Sequence, residues 1–337
     1  MVTTGIGRID DLLAGRVTDP LGADSDAATV GFIQDLLIGH DFTKLPGVLG
    51  SGHGTFGPET TAAVRQFQQA QTLPVTGTID RVTLKTLATK PWARPFACCG
   101  YLTLVLEVDF TGVVRLVSLT SQFEGAGRFT AMNLNKDRAG LSFGLIQWAQ
   151  KPGRLNELLR AFQAQQPQHF VENFGEGDPA LAASLIVHTA KPRGGTDNTG
   201  ATTDPAFDLI ATPWKGRFMN AGTDVSLQKI QIGTATVAFQ KSIALLQVFA
   251  PEIRSERGFA FMLDLANQHG DGGAESIFKR VRKPGLTEAE LLAAMADESA
   301  ARVRAQFGEG PDLKATIARR TAFRTTPILS DNSLGAG

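Results

Sequence analysis

The segment Leu119–Trp148, LTSQFEGAGRFTAMNLNKDRAGLSFGLIQW, decides the fold of the larger part of the chain. An apolar, helix-like run leads into Glu124, and glycines follow it. Because glycine tolerates the left-handed dihedrals of a helix end, we predict a helix that stops there. Residues 140–145 alternate glycine or serine with leucine or phenylalanine. That alternation predicts a tight strand or turn leading into a second helix near Gln147.

Two carboxylates stand at the edges of this segment, Glu124 and, thirteen residues later, Asp137. A helix end beside apolar side chains favours the protonated form of a carboxyl group, which a general acid requires. Lys136 and Arg138 flank Asp137, and positive neighbours favour the ionised form. Environments that push two carboxyl groups in opposite directions indicate an acid and a base. An ordinary helix-end residue and an ordinary turn residue are the alternative interpretation.

The pattern of a glutamate at a helix end followed by D-x-x-G-x-[ST]-x-G-[LI]-I resembles the lysozyme-like glycoside hydrolases, in particular the family 46 chitosanase type. The residues that carry it are Asp137, Gly140, Ser142, Gly144 and Ile146. The Gly-Leu-Ile-Gln run at 144–147 also resembles the G-L-M-Q of lytic transglycosylases. The resemblance implies a lysozyme-like α+β domain with a small β-hairpin in its cleft.

Residue roles follow from the same resemblance. Glu124 is expected to be the general acid, Asp137 the general base, and Ser142 the hydroxyl that holds the attacking water. The polar side chains of Asn133, Asn135 and Gln147 around the motif are expected to bind substrate.

An aspartate in a second apolar helix predicts a buried charge network. Asp264 lies in GFAFMLDLANQHGDGG, which resembles the chitosanase-type segment Y-D-a-i-v-x-H-G, where the aspartate joins two arginines behind the catalytic glutamate. The resemblance assigns these arginines to Arg302 and to Arg319 or Arg320. An aspartate on an apolar helix face needs a paired cation in any case, because an unpaired buried charge is very costly. A salt bridge that only holds helices together is the alternative.

Residues 27–90 show three short helical patterns separated by glycine turns. The region resembles the three-helix peptidoglycan-binding domain, and a generic helical bundle is the alternative. The residues that carry the resemblance are Ile33, Gln34, Leu37, Gly54–Gly57, Thr60, Ala63, Val64, Phe67, Gln68, Leu73, Val75–Gly77, Thr83 and Leu87.

The predicted organisation is therefore mainly α-helical. A wall-binding bundle (1–95) precedes a linker (96–110) and a catalytic domain (111–337). Lys and Arg together number 33, as do Asp and Glu, so the net charge is zero and nucleic-acid binding is not expected. The adjacent Cys98 and Cys99 are expected to stay reduced, and no metal or cofactor is predicted.

Cell-surface delivery is expected to need an unusual route. The N-terminus shows no secretory signal, and no apolar run predicts a transmembrane helix or a membrane partner. Phage lysis or a specialised secretion system would then bring the protein, expected to be a monomer, to the wall.

Arg154 bears on the choice of substrate. It aligns with an aspartate that recognises glucosamine in the chitosanase type, and a guanidinium suits a carboxylate instead. Arg154 could equally be a solvated helix residue. With the wall-binding module, it favours a peptidoglycan hydrolase of the muramidase or endolysin kind, cleaving the β-1,4 glycan with inversion. Chitosanase, lytic transglycosylase and a non-catalytic wall-binding protein are the alternatives.

Overall fold

The computed structural model describes residues 4–47, 50–89, 92–110, 112–326 and 329–333. The chain divides into two compact units. The first comprises Met1–Thr111 and Glu124–Thr234, and the second comprises Gly112–Phe123 and Ala235–Gly337. The expected domain boundary at Thr111 lies outside the described residues. Helices dominate, and one small antiparallel sheet accompanies them, which confirms the predicted fold class.

The N-terminal part of the first unit is a helical bundle. Asp26 caps one helix through a hydrogen bond from the Thr29 amide at 3.0 Å, and the Asp80 carboxylate accepts from the Thr83 amide at 2.7 Å. Pro58 occupies the first turn of the helix between them, where its missing N–H costs nothing. The helices are α1 (Gly7–Ala14), α2 (Ala27–Gly39), α3 (Pro58–Ala70) and α4 (Arg81–Thr89). The last three are those that the sequence predicts.

The expected linker, residues 96–110, instead contains a buried helix, α5 (Cys99–Leu104). A side chain at Gly100 would overlap Leu36 of α2, so the two helices lie in close contact. The Tyr101 hydroxyl donates to Gln228 Oε1 at 2.7 Å in a buried hydrogen bond. A connector with such contacts is part of the first unit's core, because its apolar residues pack there rather than facing water.

The rest of the first unit surrounds the sheet. Strands β1 (Met132–Leu134), β2 (Leu141–Phe143) and β3 (Trp148–Ala149) pair antiparallel in that order. The helix expected near Gln147 is therefore wrong. Gln147 has a left-handed φ of 54° that ends a turn between β2 and β3, and the next helix begins only at Arg154. The helices are α6 (Gly112–Gly125, which enters this unit at Glu124), α7 (Arg154–Gln165), α8 (Pro167–Gly175), α9 (Pro179–Thr189), α10 (Trp214–Ala221) and α11 (Val225–Phe249).

Helices make up most of the described part of the second unit. It contains the first twelve residues of α6, the C-terminal part of α11, and α12 (Glu256–His269), α13 (Asp271–Val281), α14 (Glu288–Phe307) and α15 (Pro311–Thr325). Thr287 and Glu290 form a capping box at the start of α14, which fixes where that helix begins.

Helix α11 is the one helix in the described part of the chain that is long and apolar enough to cross a membrane, by length and composition. Long core helices of proteins in water pass the same test. Lys229 and Lys241 interrupt its sequence.

Candidate functional site

Helix α6 brings Glu124 to the sheet. The helix ends at Gly125, and the next two residues, Ala126 and Gly127, adopt left-handed φ angles of 53° and 69°. A side chain at Gly125 would overlap the Ala131 side chain, so the helix end lies directly against the start of β1. Glu124 is half-buried at this junction. The predicted acid thus stands where an apolar helix meets the sheet.

One face of the sheet carries two of the predicted site residues. Ser142 lies opposite Asn133 on β1 and opposite Ala149 on β3. Directly paired residues point to the same face of a sheet, so these three side chains share one face. Leu141 and Phe143 point to the other face and are fully buried. Ser142 itself is 2% exposed.

Asp137 lies in the turn between β1 and β2. Asn135 opens this turn with a left-handed φ of 63°, and its side-chain Oδ1 accepts from the Gly140 amide at 3.0 Å. The Asp137 carboxylate accepts from the Ala139 amide at 3.2 Å and is exposed to solvent. The Asn133 Oδ1 accepts from the Lys136 amide at 3.0 Å. The turn is therefore held by its own side chains while its carboxylate remains open to solvent.

A neighbouring loop, residues 196–203, fastens this turn from outside. The side-chain amide nitrogen of Asn135 donates to the Thr199 carbonyl at 3.2 Å. The Lys151 ammonium donates both to the Arg138 carbonyl at 3.1 Å and to the Asn198 carbonyl at 2.7 Å. Within the loop, hydrogen bonds from the Thr199 side chain and backbone lower the pKa of Asp197. The hydrogen bonds of Asp197 hold the loop together, and the loop in turn contacts the Asp137 turn through Asn135.

Gln147 and Arg154 occupy different positions relative to the sheet. The side-chain amide of Gln147 donates to the Gly144 carbonyl at 2.9 Å and to the Ala131 carbonyl at 3.3 Å, so this side chain closes the turn between β2 and β3. Arg154 is the first residue of α7 and is half-buried. The structure therefore gathers Glu124, Asn133, Asn135, Asp137, Ser142 and Gln147 around the sheet and places Arg154 beyond β3.

Buried glutamines hold the sheet in place, and the sequence analysis missed them. Gln231 of α11 accepts from the Leu145 amide and donates to the Phe129 carbonyl, both at 3.0 Å. Gln150 accepts from the Leu141 amide at 3.1 Å and donates to the Gly194 carbonyl at 2.8 Å. Both side chains are at least 97% buried. Their only signal in the sequence was an amide within an otherwise apolar pattern.

Asp264 forms a buried ion cluster in the second unit. Its carboxylate, which is 0% exposed, accepts from the Arg319 Nε at 2.9 and 2.8 Å and from the Arg319 terminal nitrogen at 2.6 Å. Arg320 also pairs with Asp264 and with Gln268. Both candidate arginines of α15 thus contact the aspartate, where the sequence left a choice of one.

Arg302 has other partners than the expected Asp264. Its Nε donates to Glu298 at 3.0 Å, one helical turn earlier on α14, and its terminal nitrogen donates to Ser276 at 3.0 Å. The spacing of four residues favours this local pair. Among the described residues, the Asp264 carboxylate draws its cations from α15 alone.

His269 lies beside this cluster. Burial, followed by the positive charges of Arg320, Arg302 and Arg319, lowers the pKa of His269 to about 4, against a smaller opposing effect of Asp264. The ring is therefore neutral near pH 7, and its Nε2 lies 3.0 Å from the Ser299 hydroxyl. This geometry fits a structural role for the histidine.

Across the described ranges, no three His, Cys, Asp or Glu side chains are grouped so that they could hold a metal ion.

Comparison with known proteins bears on both parts of the chain. Residues 26–87 match the protein family described as "Putative peptidoglycan binding domain", so the chain carries a domain of that kind. Two solved structures are similar to this chain: a native chitosanase from Bacillus subtilis MY002 and a mutant of that chitosanase complexed with 6 GlcN. Each is 16% identical and covers 63% of this chain and 86% of its own, with TM-scores of 0.46 and 0.47 respectively. A search of curated proteins found no match.

Proposed function

We propose that this protein is a peptidoglycan hydrolase of the muramidase or endolysin kind, a glycoside hydrolase that cleaves the β-1,4 glycan backbone by general acid/base catalysis. The observation that carries the proposal is the peptidoglycan-binding domain at residues 26–87, which belongs to the same compact unit as Glu124 and Asp137. A wall-binding domain holds the polymer near the carboxylates and raises its local concentration there.

The predicted site residues around the sheet each have a role in this mechanism. Glu124 donates its proton to the glycosidic oxygen as the bond to the anomeric carbon breaks. Asp137 accepts a proton from a water molecule that attacks the anomeric carbon from the opposite side. Ser142 holds that water, and the polar side chains of Asn133, Asn135 and Gln147 contact the sugar rings. The half-buried position of Glu124 and the exposed position of Asp137 support this assignment.

We infer that the reaction inverts the anomeric configuration, because the exposed carboxylate of Asp137 in the turn after β1 leaves access for the attacking water. Inverting enzymes keep their carboxyl groups roughly 6.5–9.5 Å apart to admit water, whereas retaining enzymes bring them to about 5–5.5 Å. NMR spectra of the first products should show the α anomer released from a β bond. A product that retains the β configuration would contradict inversion.

Asp264, Arg319 and Arg320 support this activity indirectly in the proposal. Their cluster joins α12 to α15 in the second unit and keeps those helices in one arrangement. Arg302 stabilises α14 through Glu298 instead of joining the cluster. We infer further that the protein acts on the bacterial cell wall as a monomer.

Mass spectrometry of fragments released from purified sacculi tests the function. We expect muropeptides with ordinary reducing ends, and no release by the Glu124→Gln protein. Products with 1,6-anhydro ends would indicate a lytic transglycosylase. Cleavage of a glucosamine polymer with no action on sacculi would indicate a chitosanase. Tight binding to sacculi without any release of muropeptides would indicate a non-catalytic wall-binding protein.

A further inference from the structure

A cavity of about 320 Å³ opens beside the sheet, at the start of α7 and the end of α9. Its lining includes the side chains of Lys151, Arg160, Lys191 and Arg193, together with Asn156. No acidic side chain is among the described residues that line it. A pocket of this size can hold a short peptide or sugar segment rather than a single ion.

Three of the four cations have no counter-charge. In the described part of the structure, Arg160, Lys191 and Arg193 are exposed to solvent and form neither ion pairs nor side-chain hydrogen bonds. Like charges repel one another, so several cations that converge on one cavity without a partner favour an anionic ligand. The guanidinium groups of Arg160 and Arg193 also present paired donors whose geometry matches a carboxylate.

The backbone of this cavity is built specifically. Arg193 adopts a left-handed φ of 56°, which is uncommon for a residue with a side chain. Two contacts hold the turn. Gly194 lies so close to the Gln150 backbone that any side chain at position 194 would overlap it. The Gly194 carbonyl accepts a hydrogen bond from the side-chain amide of Gln150 at 2.8 Å. On the cavity floor, Asn156 is 8% exposed and donates to Thr189 at 2.8 Å. The cations therefore project from a well-ordered frame.

The cavity also adjoins the proposed active site. Lys151, which lines it, donates to the Arg138 carbonyl in the turn that carries Asp137. A ligand in the cavity would therefore lie next to that turn. A peptidoglycan strand carries stem peptides on its glycan, and the carboxylates of these peptides are anionic.

We propose that this cavity is a binding site for the carboxylates of the stem peptide, with Arg160, Lys191 and Arg193 as its anion-binding side chains. The proposal rests on the proposed function for the choice of polymer. It moves carboxylate recognition from Arg154, which is not among the residues that line the cavity, to these three residues. Occupation of the cavity selects strands that carry peptides and aligns them along the Asp137 turn.

Isothermal titration of the full-length protein with the free stem tripeptide L-Ala–γ-D-Glu–meso-diaminopimelate tests the site. This probe carries no sugar, so its binding does not depend on Glu124 or on cleavage. We expect saturable binding, about tenfold weaker in Arg160→Gln and in Arg193→Gln because each variant loses one charged contact. Amidation of the peptide carboxylates should weaken binding to the same extent. Lys229 is an exposed cation of α11, and Lys229→Gln is the matched control. This variant should bind the tripeptide as tightly as the unchanged protein.

Equal affinity of all variants for the tripeptide would overturn the proposal, and so would equal affinity for the amidated peptide. Inorganic phosphate that binds at the cavity while the tripeptide does not would also overturn it and indicate a phosphate site. If the tripeptide binds as expected but sacculi are not cleaved, the proposed function fails and the binding site stands. If sacculi are cleaved and the tripeptide does not bind, the reverse holds.

Discussion

The backbone of Gly200 lies directly against the side chain of Asn135, so closely that a methyl group on Gly200 would overlap the Asn135 Oδ1. The same methyl group would press on the backbone at Arg138 and Gly140, which follow Asp137 in this turn. Gly200 also has a left-handed φ of 79°. We expect Gly200→Ala to displace the Asp137 turn and to lower kcat on sacculi about tenfold or more, since small misplacements of a reacting group are costly.

Gly233→Ala is the matched control for this prediction. Gly233 lies on α11 with nothing within 4 Å of the position of a new side chain, so this variant should keep its activity. Steady-state kinetics of both variants, with circular dichroism to verify folding, provide the measurement. A folded Gly200→Ala protein with unchanged kcat would show that the turn does not position a catalytic group.

The pairing of Asp264 predicts unequal effects of two substitutions in the second unit. Asp264→Ala leaves Arg319 and Arg320 buried without their carboxylate, and we expect a loss of about 3–5 kcal/mol in the free energy of unfolding. Arg302→Gln removes a half-exposed pair with Glu298 and a hydrogen bond to Ser276, and it should cost about 1 kcal/mol. Urea unfolding of the two variants measures both values. Equal losses would mean that the cluster is not the main charge network of this unit.

The lowered pKa of His269 predicts a pH-dependent stability. Its pKa is about 4 in the folded protein and near 6.5 when unfolded, so the unfolded chain binds the proton more readily. The stabilisation is complete above pH 6.5 and is lost as the pH falls from 6.5 towards 4. We expect the melting temperature of His269→Gln to decline less over this interval than that of the unchanged protein. Parallel curves for the two proteins would argue against this assignment.

The helical bundle should bind the wall without cutting it. A fragment of residues 1–110 retains α5, whose Gly100 packs on Leu36, and is therefore a better test than a fragment that ends at residue 95. Sedimentation with insoluble sacculi should carry this fragment into the pellet and release no sugar. Crystalline chitin serves as the control polymer. A fragment that is folded by circular dichroism yet stays wholly in the supernatant would contradict this role of the bundle.

The sequence predicted the elements that depend on local patterns. The end of α6 at Glu124 and Gly125 followed from glycines after an apolar run, and the three bundle helices followed from periodicity and caps. Residue types with a strong local preference carry such signals. The buried position of Asp264 was also predictable, because an aspartate in an apolar helix needs a cation.

Tertiary contacts determined the features that the sequence did not predict. Gln147 begins no helix because its side chain binds two backbone carbonyls of the sheet. The stretch around Tyr101 was expected to be a linker, yet its hydroxyl is bound by Gln228, which lies 127 residues later in the chain. Arg302 pairs with Glu298 instead of Asp264 because Glu298 lies one helical turn away. Partners that are distant in sequence leave no signal in the periodicity, whereas the four-residue spacing of Glu298 and Arg302 does indicate their local pair.

Release of reducing ends from purified sacculi by the Glu124→Gln protein is the most direct test of the account. A carboxamide cannot donate the proton, and general acid catalysis contributes about 10²- to 10⁴-fold, so we expect a rate below about 1% of that of the unchanged protein. Asp137→Asn, assayed in parallel, should also be strongly impaired, and Ser142→Ala less so. A Glu124→Gln protein that cleaves sacculi at the normal rate, or an active Asp137→Asn protein that yields 1,6-anhydro products, would contradict the proposed mechanism.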